Sequence, residues 1–229
     1  MCHVHRPDKN VKLTKMKFSD FERISTQLEP HGLLDFRLFW TGELSLHPEF
    51  ADILRHSSKL RNVPHIAFDS NVFLLDKAKS DVLLECGERK PIHIMISLDG
   101  VKKETYEAIR VRGNYEKVIA NIDYLLSERT RRGLTYPKLT FQFIVMEQNK
   151  GESLPFYEFW ARKFLDFGIT PRVTYNGSWA GEDGVNFRVL FEELDFDGTL
   201  QPKAIQLFEE TVAGLQSKIG GKVLHESWN

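Results

Sequence analysis

The chain has 229 residues, 41% hydrophobic and 28% charged, a composition that excludes disorder and supports one ordinary globular domain with a sizeable core. Lys and Arg (31) nearly balance Asp and Glu (32), so nothing in the overall charge draws the fold to nucleic acid or to an anionic membrane. There is no apolar run of about 18 residues and no signal-peptide core, so the expected location is the cytoplasm, and two cysteines, Cys2 and Cys86, do not make a disulfide framework.

In chain order, segments of helical period alternate with apolar runs of strand length. Residues 18–28 read as a helix with Phe21, Ile24 and Leu28 on one face, and 34–41 (LDFRLFWT) reads as a strand. A helix over 48–60 carries Phe50, Ile53 and Leu54, and strands follow at 65–70 (HIAFDS) and 92–98 (IHIMISL). A long helix is expected around 103–132, with Val118, Ile119, Ile122, Leu125 and Leu126 at helical spacing. Its basic end, ERTRR at 128–132, answers the helix dipole rather than an RNA. A strand at 139–146 (LTFQFIVM), a helix at 154–167 with Phe156, Phe159, Trp160 and Phe164, a strand at 172–175 (RVTY) and a terminal amphipathic helix at 202–219 complete the series. Cys86 falls at a helix end as a buried or idle thiol.

Strand, helix, strand, helix implies right-handed crossovers and a parallel sheet. Parity within the strands says more, because alternate residues face opposite sides. Ile92, Ile94, Ile96 and Leu98 oppose His93, Met95, Ser97 and Asp99; Leu139, Phe141, Phe143 and Val145 oppose Thr140 and Gln142. Helices covering both faces of an open sheet would demand two apolar faces. One apolar and one partly polar face fits a barrel with a polar ligand inside. Glu43, Asn71, Ser97, Asp99 and Asn176 collect at C-terminal strand ends, where parallel α/β barrels build their sites.

These residues resemble those of radical S-adenosylmethionine (radical SAM) enzymes. Residues 41–48 (TGELSLHP) resemble the segment GGEP-x-LHP, Ser70-Asn71-Val72 with Leu74-Leu75 resembles TNG-x-LL, and Ser97-Leu98-Asp99-Gly100 with Thr105-Tyr106-Glu107, Arg110 and Gly113 resembles SLDG…TYE…R…G. Val145-Met146 with Asn149 matches the end of a later strand, and 176–181 (NGSWAG) resembles the N-x-W-A-G loop of members with a SPASM-type, cysteine-rich extension for auxiliary clusters. No cysteine follows Cys86, so that extension is absent or degenerate in this sequence.

The resemblance implies an α/β fold, a partial (β/α)6 TIM-like barrel of parallel strands with the first strand missing, over residues 1–195, and a C-terminal helical extension over 196–229. It implies two cofactors: a four-iron four-sulfur cluster (4Fe-4S) on three thiolates and S-adenosylmethionine chelated to its open iron. Reductive cleavage then yields a 5′-deoxyadenosyl radical that abstracts a substrate hydrogen. By resemblance, Glu43 accepts from the bound ammonium, Ser97 and Arg110 hold the carboxylate, Asn71 meets the ribose, Val145 and Met146 line the adenine, and Gly42 permits close backbone approach. The implied partners are a peptide or small-molecule substrate and an electron donor such as ferredoxin or flavodoxin. Thr41, Leu44 and Val72 depart from the motifs, and a β-branched residue at position 72 tolerates a positive φ poorly.

The opening MCHVHRPDKN is expected to carry Cys2 as the third cysteine of the family's CxxxCxxC, the first strand and the other two cysteines lying upstream. The chain as written would then be truncated and unable to assemble a stable cluster. A mononuclear site from Cys2, His3 and His5 is the rival for that segment. For the whole chain the alternatives are a non-catalytic S-adenosylmethionine-binding or interaction remnant, and a metal-dependent barrel lyase or hydrolase using Glu43, Asp99 and His93.

Overall fold

The structure is a computed structural model, and it describes residues 14–38, 42–176, 181–190, 202–219 and 224–225. The expectations resting on Cys2, His3, His5, Thr41 and residues 177–180 lie outside the described residues. The chain divides into two compact units, one of residues 1–94 and 118–138, the other of 95–117 and 139–229.

The first unit holds strand β1 (Phe36–Arg37), strand β2 (Ile66–Ser70) and the opening half of β3 (Ile92–Ser97), in the order β1-β2-β3. β1 runs parallel to β2, with Phe36 opposite Ile66. Helix α1 (Phe18–Leu28) matches the expected 18–28, and α2 (Phe50–Lys59) starts two residues inside its expected span. α3 (Lys77–Gly87) begins where the Asp76 carboxylate caps the Lys79 amide. Phe50 and Leu54 of α2, Ile66 and Phe68 of β2, Leu83 and Leu84 of α3, and Ile92 and Ile94 of β3 are all buried and form this unit's core. Leu34, expected on the apolar face of the first strand, is 95% exposed. The described strand is only two residues long there, and strand parity has no force outside it.

The long helix expected at 103–132 is two helices, α4 (Lys103–Ile109) and α5 (Tyr115–Arg131). The break has a local cause. The Asn114 side chain accepts from the Lys117 amide at 2.8 Å and caps α5, and Arg112 sits at φ +66°. An Asn cap and a left-handed residue end one helix and begin another despite continuous apolar spacing.

The second unit takes the remainder of β3, then β4 (Lys138–Val145), β5 (Arg172–Tyr175), β6 (Gly184–Val189) and β7 (Leu224–His225), ordered β3-β4-β6-β5-β7. The pairs β4–β6, β5–β6 and β5–β7 are all parallel. Sequence reading passed over β6 and also the two-residue β7, which lies in the segment expected to be purely helical; β6 enters between β4 and β5 rather than after them. Its odd residues Val185, Phe187 and Val189 are buried on the same side as Phe141 and Phe143. Helix α6 (Ser153–Asp166) covers that side, with the Phe141 ring 4.1 Å from Trp160 and Phe143 4.8 Å from Phe156. Phe208, Val212 and Leu215 of α7 (Pro202–Ile219) are buried as well. The fold is α/β, a partial TIM-like barrel of parallel strands that does not close.

Candidate functional site

The polar residues at the strand ends form two hydrogen-bonded knots, one in each unit. In the first, Glu43 lies in the loop that follows β1, and its carboxylate collects four donors. Oε1 accepts from the Ser45 amide (3.2 Å), the Ser45 hydroxyl (2.6 Å) and the Ser70 hydroxyl (2.8 Å), and Oε2 accepts from the Asn71 amide (2.9 Å). Glu43 thus binds the TGEL loop to the end of β2. The Asn71 side chain turns back to accept from the Phe73 amide at 3.0 Å. Between them Val72, 1% exposed, holds φ +50°. This is the position where the family motif carries glycine, and the chain retains the left-handed geometry with a β-branched residue. The Ser70 hydroxyl accepts from the Val72 amide, and the Asn121 side-chain amide donates to the Val72 carbonyl at 2.8 Å, so the turn is fixed from both sides.

Beside this knot a cavity of about 540 Å³ is lined by Phe21, Phe36, Leu38, Gly42, Glu43 and His47. A Cβ added to Gly42 would meet no atom within 4 Å, so protein packing does not require glycine there and the space beside the backbone is open.

The second knot is built on Asp99, at φ +62° and fully buried. Oδ1 accepts from the Ile144 amide at 2.8 Å, Oδ2 accepts from Arg110 Nη2, and the Asp99 carbonyl accepts from the Asn149 side chain at 2.9 Å. Asn149 also binds the Ile144 carbonyl and the Met146 amide, so one asparagine shapes the end of β4. Burial pushes the Asp99 carboxyl up, against the opposing pull of the Arg110 guanidinium and the Ile144 amide.

Glycine is needed twice in this motif. A Cβ on Gly100 would stand 2.9 Å from the Tyr106 amide nitrogen, and one on Gly113 would stand 2.7 Å from the Arg110 carbonyl oxygen. Both glycines let the backbone that carries Arg110 pack closely. Glu152 completes the frame, accepting from the Val101 and Lys102 amides and the Thr105 hydroxyl at the start of α4.

Ser97 is on the partly polar face of β3, its hydroxyl accepting from the Gln142 side-chain amide at 3.4 Å. Val145 and Met146, with Gln148, Leu190, Lys203 and Leu207, line a cavity of about 400 Å³. The structure therefore joins Glu43 to Asn71 in one unit, and it sets Arg110 on Asp99 in the other. Asn149 and Glu152 were missed as positioning residues. Asn149 had a signal, since it ends a recognised motif, whereas Glu152 looks like an ordinary surface residue of a helix start. Of the residues that a metal-dependent barrel would use, His93 is stacked between His65 and Tyr136, and Asp99 is already engaged by an amide and a guanidinium.

Parallel strands with a helix-covered apolar side, a partly polar side and hydrogen-bonded loops at their C-terminal ends define a barrel-type α/β protein. Residues 1–146 match the model of the Radical SAM superfamily, and the chain belongs to that superfamily. Over 96 residues it is 36% identical to GTP 3',8-cyclase from Microcystis aeruginosa (strain NIES-843 / IAM M-2473), a stretch that is 41% of this chain and 28% of that protein. A solved structure described as native anSMEcpe with bound AdoMet and Kp18Cys peptide shares the fold, with a TM-score of 0.55, 16% identity, and coverage of 87% of this chain and 54% of that one. The chain thus spans well under two thirds of either relative.

Members of the superfamily use a 4Fe-4S cluster and S-adenosylmethionine, which they cleave reductively. The residues present fit S-adenosylmethionine: besides the open space at Gly42, Arg110 Nε is buried with no hydrogen-bond partner among the described residues. They do not fit the cluster. The chain has two cysteines against the three thiolates required. Cys86 is fully buried, and burial raises its thiol pKa. Among the described residues no group of three His, Cys, Asp or Glu could hold a metal ion. No described helix is long and apolar enough to cross a membrane.

Proposed function

We propose that this chain is an S-adenosylmethionine-binding radical SAM domain; the ligand residues assigned in its second unit are Ser97, Arg110, Val145 and Met146, and those assigned in its first are Gly42, Glu43 and Asn71. The observation that carries the reading is Arg110. Its guanidinium is anchored by Asp99 while its Nε–H is buried without a partner among the described residues, an arrangement suited to a carboxylate acceptor. Glu43 lies in a loop beside a cavity, where an ammonium can approach its carboxylate. Val145 and Met146 offer the apolar lining that a flat base needs.

The family's chemistry is formation of a 5′-deoxyadenosyl radical by reductive cleavage, with an electron supplied by a donor such as ferredoxin or flavodoxin. With two cysteines, these 229 residues bind S-adenosylmethionine without building the cluster alone. The substrate belongs to the small-molecule or peptide class: one relative is named for GTP, and the solved relative holds a peptide.

Calorimetric titration with S-adenosylmethionine tests the reading. The native chain should bind it, and Arg110→Ala should lose roughly 1.5–3 kcal/mol of binding. Absence of binding, or unchanged affinity in Arg110→Ala, would sink it. Iron–sulfide reconstitution that gave a stoichiometric cluster and 5′-deoxyadenosine would overturn the statement about the cluster.

A further inference from the structure

The end of β4 and the first turns of α7 border a space that the strand motifs do not describe. β4 and β6 keep register as far as Val145 and Val189, both buried, so the next residues, Met146 and Leu190, leave the sheet together. The Met146 amide is fixed there by the Asn149 side chain, which accepts from it at 2.8 Å. Val145, Met146 and Leu190 line the cavity of about 400 Å³ from the strand ends, and Ala204 and Leu207 line it from α7.

The helix can spare those two residues. Its core stripe is Phe208, Val212 and Leu215, spaced i, i+4, i+7 and all buried. Leu207 stands on the flank of this stripe, about 100° around the helix from Phe208, and Ala204 lies between the two directions. Both remain half-buried. Leu207 is therefore apolar surface that the core does not use, and Ala204 leaves room that a larger side chain would fill.

The other lining residues select the occupant. Met146 offers a polarisable thioether, which favours aromatic partners. Gln148 borders the same cavity, with its side-chain Nε2 3.9 Å from Met146 Sδ. A thioether is a weak acceptor, so the amide loses little by turning to a base. One acceptor and one donor on a side-chain amide match the N6 amino group and N7 of adenine, whereas an aliphatic ligand would give that amide no role. The volume falls within the roughly 300–1,000 Å³ of small-molecule sites.

We propose that α7 is part of the ligand site of its unit: Ala204 and Leu207 pack against the purine base of S-adenosylmethionine, and Gln148 reads the base edge. The proposal rests on the reading of Val145 and Met146 as adenine lining, and it adds the residues that select the base. The terminal helix thereby becomes a specificity element.

The test uses the whole 229-residue chain and 5′-methylthioadenosine. That probe carries the base, the ribose and a thioether, but neither the ammonium assigned to Glu43 nor the carboxylate assigned to Arg110. Ligand-observed NMR titration should show it binding to the native chain. Leu207→Ala should weaken binding about fivefold through lost apolar contact. Ala204→Leu should weaken it about tenfold by filling the space, while the thermal midpoint stays at or above the native value, because leucine is a good helix former. That pairing separates an occupied site from a damaged helix. No binding to the native chain, or equal affinity in the native chain and both variants, overturns the proposal. 5′-Methylthioinosine has a carbonyl where adenine has its amino group. It should bind the native chain about fivefold more weakly, and Gln148→Ala should bind the two nucleosides alike. Absence of a preference in the native chain removes Gln148 from the site. S-adenosylmethionine is titrated in parallel. A native chain that binds 5′-methylthioadenosine but not S-adenosylmethionine would strike the proposed function and leave the base site standing. S-adenosylmethionine binding that is the same in the native chain, Leu207→Ala and Ala204→Leu would spare the function and overturn this inference.

Discussion

Arg110 donates through Nη2 to Oδ2 of Asp99, and the two side chains differ sharply in environment: Asp99 is fully buried, while 24% of Arg110 is exposed. The carboxylate is an anchor and the guanidinium is the arm it holds. Asp99→Asn should therefore lower S-adenosylmethionine affinity about tenfold, the scale of a charge-assisted contact, and should cost nothing further in an Arg110→Ala background. A double-mutant cycle measured by calorimetry reads this coupling. Equal losses in both backgrounds would show that Asp99 acts on the fold alone.

Glu43 makes a second, separable prediction. Its two oxygens accept four hydrogen bonds, and an amide would turn one of those oxygens into a donor facing donors. Glu43→Gln should lose about 1–3 kcal/mol of stability as well as ligand affinity, and urea unfolding beside calorimetry resolves the two. Ser70→Ala should lose only the stability share, because Ser70 touches the carboxylate and has no proposed ligand contact.

Position 72 should reverse a familiar order. Removing a buried valine side chain costs burial energy in either variant, and glycine normally costs more than alanine. At φ +50° alanine keeps a left-handed penalty of roughly 1–2 kcal/mol that glycine escapes. Val72→Gly should be the more stable of the two by about 1 kcal/mol. Urea midpoints that rank alanine above glycine would remove strain from the account of this turn.

Acid should loosen the frame around Arg110. Burial alone would raise the Glu152 carboxyl, but the Thr105 hydroxyl and the Val101 and Lys102 amides outweigh it and hold the pKa below its ordinary 4.5. A depressed folded pKa means stability that is present in full above the unfolded value and is lost as pH falls through the folded one. Glu152→Gln should be less stable than the native chain at neutral pH, and the gap should close as the pH falls below the ordinary 4.5 and through the depressed folded value. A gap that stays constant with pH would contradict it.

The ends of the two basic arginines near α5 illustrate a quieter outcome. Glu128 accepts from Arg131 and Arg132, whose hydrogen bonds outweigh its slight burial and hold its carboxyl at about 2, and Arg132 also reaches Asp81. Arg131 and Arg132 pair with carboxylates near the end of α5, whereas Arg129 of the same run is buried and donates to the Pro137 carbonyl.

Local information in the sequence was enough for α1, α6 and α7, for β2, β3, β4 and β5, and for the family motifs, because hydrophobic period and turn chemistry act over a few residues. The ends of Glu43, Asn71, Ser97 and Asp99 at strand termini were legible for the same reason. The break at Arg112 to Asn114 was written locally too, in an Asn cap, but apolar spacing outweighed it in reading. The place of β6 could not be read in this way. Whether residues 184–189 pair at all, and whether they enter between β4 and β5, depends on strands separated by about 40 residues of chain. Register then decides which of its residues face the partly polar side. That choice puts Arg188 in line with Gln142 and Ser97 and Phe187 against α6. Likewise the sequence names Arg110 as a cation, but only packing buries Asp99 beside it and leaves Nε–H without a partner among the described residues, because burial and pairing are properties of neighbours distant in the chain.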